Sequence, residues 1–253
     1  MIGIITDIHA NREALAVVLR ELLAMDLEKI ICLGDIVGYG PDPRWCVDAV
    51  RSSCDVVLCG NHEYGLIYGS TEFSDGADST LTYHRNLLMP RPGQDSSRAK
   101  RERWEFLKTL PHRHSEDGRL FVHGSPRNPI REYMRERDCR YGMEKKLTEN
   151  FALVDRIAFV GHTHRPGVIT DDFEFLHPEQ FDDVYECPEG RKAIINVGSV
   201  GQPRHGDTRA CYGIIDGYRV TFRRVEYEVE KVAQRIEQSG LDPRMAERLR
   251  RGR

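Results

Sequence analysis

The chain has 253 residues, 40% apolar and 30% charged, with a formal net charge of -3; it is long enough to bury a sizeable core and has the composition of an ordinary globular protein. That charge offers no basic field able to hold nucleic acid by counterion release, so a nucleic acid polymer is not the expected partner. No stretch approaches the roughly 20 apolar residues of a membrane helix, no basic leader precedes the first apolar run, and the seven cysteines form no CxxC pair. The expectation is a soluble, cytoplasmic protein without membrane association, disulfide framework or thiolate zinc site, with homo-oligomerisation left open.

The first apolar run, "IGIITDIHAN" at 2–11, reads as a buried strand followed by Asp7, His9 and Asn11 at spacing two, which an extended segment would turn to one face. "NREALAVVLRELLAMD" then sets Leu15, Val18, Leu19 and Leu22 at helical spacing behind Asn11, a suitable N-cap. "KIICLGDIVGYGPDP" runs a strand into a glycine-rich loop, "PRWCVDAVRSS" is a helix opened by proline, and "CDVVLCGNHEYG" is a third strand ending at Gly60, Asn61 and His62. In open α/β sheets ligands sit beyond the carboxyl ends of the strands, so these three loops should converge.

Residues 66–119 are polar and weakly periodic, and only "RERWEFLKTLP" shows an apolar helical face, at Trp104, Leu107 and Leu110. The segment is expected to be an inserted helical cap on a mobile connection around 90–100, or else a purely structural excursion. Strand patterns return in "RLFVHGSP", "RIAFVGHTHRPGVI", "KAIINVGSVGQPR" and "ACYGIIDGYRVTFRRVEYE", expected together as a second sheet with hairpins. Residues 228–253 read as a C-terminal helical tail, two short helices around a Gly-Leu-Asp-Pro break with a solvated basic end, and 1–253 as one domain.

Asp7, His9, Asp35, Asn61, His62, His123, His162 and His164 each follow an apolar strand, and Gly34, Gly60, Gly124 and Gly161 stand beside them to let the backbone turn sharply. A lone histidine after a strand is usually structural. Eight oxygen and imidazole donors at the ends of five strands would repel one another or stay unsatisfied without a cation. A donor set of carboxylate, amide and imidazole suits Mn, Fe, Zn or Ni better than Ca or Mg.

The order DxH, GDxxxYGP, GNHE, HG and GHTH, with "NVGSVGQPR" behind it, closely resembles the calcineurin-like metallophosphoesterases, in particular their small bacterial and archaeal branch related to the YfcE-type phosphodiesterases, over about residues 2–216. The resemblance implies an α/β fold, a four-layer α/β/β/α sandwich of two mixed β-sheets carrying two divalent metal ions at one edge. Asp7, His9 and His164 would hold the first metal, Asn61, His123 and His162 the second, and Asp35 would bridge them. His62 would face the substrate as general acid, and Glu63 stands where the family usually has aspartate. The implied reaction is attack of a metal-bridged hydroxide on a small-molecule phosphodiester or phosphomonoester, with dinucleoside polyphosphate hydrolysis as the alternative. An inactive scaffold would be expected to have lost ligands, whereas all seven metal positions are filled.

Further out, Asn11 either only caps its helix or also contacts a phosphate oxygen, and Arg204, beside His205, either grips a phosphate oxygen or is solvated. Tyr39 either stacks on a substrate ring or packs beneath its loop.

Overall fold

The computed structural model describes residues 1–69, 75–91, 93 and 96–253. The first three apolar runs become parallel strands, β1 Ile2–Ile5, β2 Lys29–Cys32 and β3 Val56–Val57, joined by helices α1 Arg12–Leu23 and α2 Pro43–Ser53. Three helices follow, α3 Asn61–Tyr68, α4 Asp75–Leu88 and α5 Arg98–Lys108. Then come β4 Arg113–Glu116, β5 Arg119–Val122, α6 Glu144–Phe151, β6 Ile157–Val160, β7 Gly167–Thr170, β8 Phe175–Leu176, β9 Val184–Glu186 and β10 Ala193–Asn196. The chain closes with the hairpin β11 Ala210–Asp216 and β12 Arg219–Val225 and helices α7 Val229–Gln238 and α8 Pro243–Arg251.

These strands make two mixed six-stranded sheets, in the orders β3-β2-β1-β11-β12-β9 and β4-β5-β6-β10-β7-β8. Ile4, Ile31, Leu33 and Leu58 of the first sheet meet Phe121, Ile157, Phe159 and Ile195 of the second in one buried core. Helices α1, α2, α4 and α5 cover the outer face of the first sheet through Leu15, Val18, Val47, Leu81 and Trp104. Helix α6 covers the second through Leu147 and Phe151. The result is the α/β/β/α sandwich, and burying each large apolar side chain in it contributes about 1.5–3 kcal/mol.

The structure differs from the expectation at three places. The β11–β12 hairpin joins the first sheet, because β1 is paired by β2 on one edge only and β11 closes the other, antiparallel, with Ile2 opposite Ile215. Helix α4 has no clean apolar stripe in sequence because two polar residues, Thr80 and His84, sit fully buried on the face it shares with Ala77, Leu81 and Leu88. The connection expected around 90–100 lies partly outside the described residues, since 92, 94 and 95 do. Third, α8 is not a solvated tail: Met245, Ala246 and Leu249 pack against Val232, Ala233 and Ile236 of α7. No helix among the described residues is long and apolar enough to cross a membrane.

Candidate metal centre

At one edge of the sandwich the loops after β1, β2, β5 and β6 and the start of α3 meet. Asp7, His9, Asp35 and His164 form one buried group and Asp35, His123 and His162 another; within each, one ligand atom per residue lies within 4.8 Å of the others. Asn61 joins the second, its Oδ1 3.0 Å from His123 Nε2. The two groups share Asp35. Its Oδ1 accepts from the His62 backbone N–H at 2.9 Å, while its Oδ2 lies 3.6 Å from His9 Nε2 and 3.3 Å from His123 Nε2.

The backbone that aims these donors is strained. Of the seven ligand-type residues, Asp7, His9, Asp35, His162 and His164 take left-handed φ values between 48° and 66°, each a conformation costing an L-residue roughly 1–2 kcal/mol. The donors turn the chain themselves, so Asp7 and His9 are not successive residues of an extended strand. Of the four neighbouring glycines only Gly34 has a positive φ. The other three are required by close approach: a Cβ on Gly60 would lie 2.2 Å from Asp35 Oδ1, and one on Gly161 2.2 Å from Thr6 Oγ1. Gly60→Ala is therefore expected to lower stability by about 1–3 kcal/mol or more and to displace Asp35; thermal unfolding with and without added Mn checks both.

The imidazole tautomers are set by backbone carbonyls, which can only accept. His9 Nδ1–H donates to Val37 O at 3.0 Å and His164 Nδ1–H to Gln202 O at 2.6 Å. Both Nε2 atoms therefore carry lone pairs, and they face each other at 3.1 Å with Asp7 Oδ1 3.3 Å from the His164 nitrogen. His162 donates from Nε2 to Arg131 O at 3.2 Å, which leaves its Nδ1 bare. Bare imidazole nitrogens and carboxylate oxygens gathered in these two buried groups demand cations, and the donor chemistry fits divalent transition metals.

Charge follows the same logic. Burial holds His9, His162 and His164 well below the ordinary imidazole value, hence neutral and able to ligate. Burial also pushes Asp7 up to about 7, the resistance of an enclosed carboxylate to ionising without a nearby positive charge. Burial would raise Asp35 as well, but the charges of His123 and His62 outweigh it and hold that carboxylate well below its usual range. His123, which burial would lower, is raised to about 9 by Asp35. Burial pulls His62 down to about 4.

Around the donors stands a supporting shell, of which the sequence marked only Glu63, as a departure from the family pattern. Glu63, fully buried, accepts from the backbone N–H of Asp35 at 2.7 Å, Val37 at 2.9 Å and Gly60 at 2.9 Å. His84 of α4 accepts from Gly38 N at 3.0 Å and donates to Gly40 O at 2.8 Å, which locks Tyr39 between them in a left-handed turn. Asp7 accepts from His162 N and from Thr6 Oγ1.

The centre opens into a crevice of about 310 Å³, where Tyr39 and Arg204 take their places beside Asp35, Asn61, His62, His162 and His164. His62 packs between His9 and Tyr39, with ring centroids 4.8 and 4.7 Å away. Asn11 does not line the crevice: its Oδ1 caps α1 at Ala14 N, 3.1 Å, and its Nδ2 donates to Gly201 O, 2.9 Å. His205 lines a separate groove with Arg135 and Arg165. Tyr64, Arg131, Tyr133 and Arg248 also line the crevice; Tyr64 follows the GNHE motif on α3, while the other three come from irregular or C-terminal segments with no motif or periodicity to single them out.

This fold and this donor order define a class: the chain belongs to the calcineurin-like phosphoesterase superfamily, whose domain model matches residues 1–217. Over 262 aligned residues it is 35% identical to an uncharacterised protein of Methanocaldococcus jannaschii, covering 100% of this chain and 98% of that one. It also resembles a crystal structure of a metallophosphoesterase from Sphaerobacter thermophilus, with TM-score 0.82, 37% identity, and 100% and 98% of the two chains covered. A hypothetical protein from Pyrococcus horikoshii OT3 shares the fold, with TM-score 0.77, 20% identity, and 100% and 99% covered.

Proposed function

We propose that the chain hydrolyses small-molecule phosphoesters with two divalent cations, Mn foremost, held one by Asp7, His9 and His164 and the other by Asn61, His123 and His162, with Asp35 shared. The observation that carries this reading is the pair of bare Nε2 atoms of His9 and His164 at 3.1 Å among carboxylates. Bound there, the cations supply a hydroxide nucleophile near neutral pH and offset the charge that repels it from phosphate.

The chain's own residues do the rest. The carbonyls of Val37, Gln202 and Arg131 hold three imidazoles in register, so the site needs little reorganisation when substrate arrives. His62 lines the crevice with Nδ1 buried against Gly38, so Nε2 is the atom that would reach a leaving-group oxygen; burial favours the neutral ring, and the negative charge of a phosphate bound beside it would offset that burial and favour the protonated form that can give a proton. General-acid help of this kind is commonly worth about 10²–10⁴-fold.

The test is hydrolysis of p-nitrophenyl phosphate, bis-p-nitrophenyl phosphate and diadenosine tetraphosphate by metal-stripped protein resupplied with Mn, Fe, Ni or Zn. No turnover with any metal, or one metal per chain at Mn saturation, would sink the two-cation reading. His62→Asn is expected to keep the wild-type metal content while turnover falls about 10²-fold, and less on the nitrophenyl esters, whose leaving group needs no proton. Loss of metal together with activity would instead make His62 part of the metal-holding structure.

A further inference from the structure

The crevice gathers more positive charge than a singly charged diester calls for. Arg204 from the loop after β10 and Arg248 from α8 both reach the ring of Tyr39, their Cζ atoms 5.5 and 5.6 Å from its centroid. Neither is ion-paired with an aspartate or glutamate side chain among the described residues. Arg204 donates from Nε and Nη2 to Gln202 Oε1 at 3.3 and 2.7 Å, and Arg248 from Nε to Arg253 O at 3.0 Å. A guanidinium carries five N–H groups, so each retains donors for the crevice.

Their placement is built rather than incidental. Tyr39 is clamped by His84, and α8 is anchored by Met245, Ala246 and Leu249 and capped by Asp242, whose carboxylate accepts from Arg244 N at 2.9 Å. Burial and the Arg204 charge both pull Arg248 below the ordinary guanidinium value. The tyrosine ring face attracts both cations but offsets their mutual repulsion only in part. Two guanidinium groups held together in a partly buried place, with no acidic side chain paired to either among the described residues, are complementary to an anion set between them.

We infer that Arg248, with Arg204, is a specificity-determining residue that binds phosphate oxygens carrying charge beyond that of a simple diester: a terminal phosphate dianion or a second phosphate adjoining the scissile one. The inference rests on the phosphoesterase reading above and names its substrate class.

Arg248→Ala, Arg248→Lys and, as a control, Arg250→Ala separate the alternatives; Arg250 is on the same helix but pairs with Glu230 and Glu237 on the outer surface. Arg248→Ala is expected to lower kcat/KM about 10- to 100-fold for p-nitrophenyl phosphate or for diadenosine tetraphosphate, with bis-p-nitrophenyl phosphate changed less than about 3-fold. Arg248→Lys should recover part of the loss and Arg250→Ala should change nothing. Selective loss on the monoester identifies the terminal dianion, and selective loss on the tetraphosphate the neighbouring phosphate. An equal fall on all three substrates, or no fall on any, overturns the proposal. If wild type hydrolysed none of them, the phosphoesterase reading would fail separately. Calorimetric binding of inorganic phosphate would then decide this one, with undiminished affinity in Arg248→Ala counting against it and weakened affinity for it.

Discussion

Asp35→Asn is expected to cost on the order of 10³-fold or more in kcat/KM and to abolish most of the thermal stabilisation that Mn confers on the wild type. One Asp35 oxygen is fixed by the His62 backbone N–H, and the other lies 3.6 Å from His9 Nε2 and 3.3 Å from His123 Nε2, so it is the one anion both ligand groups share. An asparagine retains the size and the first hydrogen bond but removes that charge. A cation present at 100 times its Kd stabilises the folded state by about 2.7 kcal/mol per site, so the difference between the Mn-induced shifts of the two proteins is readily measured. Elemental analysis should show both metals depleted. A variant that kept one full equivalent and its stabilisation would mean that Asp35 serves one site only.

Glu63→Ala is expected to destabilise the protein by about 3 kcal/mol or more, since it orphans three buried N–H donors, of Asp35, Val37 and Gly60, at about 1–3 kcal/mol each. It should also lose metal affinity, because the amide of Asp35 is among those three and its side chain is aimed by its backbone. At about 2–4 °C per kcal/mol for a chain near this size, Tm should fall by roughly 6–12 °C. Glu63→Asp retains the charge on a shorter arm and should fall between the two. Wild-type stability in Glu63→Ala, measured by chemical denaturation, would show that water replaces the carboxylate and that its clamp is not structural.

The donors were legible in the sequence because each sits where an apolar run stops, and a buried strand has nowhere to place a carboxylate or imidazole except past its end. The βα alternation of the first third, the α1 cap at Asn11 and the proline opening of α2 were equally local, each a property of a few adjacent residues. The position of the β11–β12 hairpin was not, since its alternating pattern satisfies either sheet, and only the vacant edge of β1 selects the first. Nor could the sequence show that the donors themselves adopt left-handed backbone: that strain persists only because surrounding contacts over-determine it, among them Glu63 and the glycines that allow Asp35 and Thr6 their close approach. Helix α4 hid behind a buried histidine whose partners, Gly38 and Gly40, lie more than forty residues away. Arg248 read as part of a solvated basic end because charge composition is a one-dimensional property. What distinguishes it from Arg250, two residues on, is which side of α8 meets the crevice, and that is set by the packing of Met245, Ala246 and Leu249 against α7.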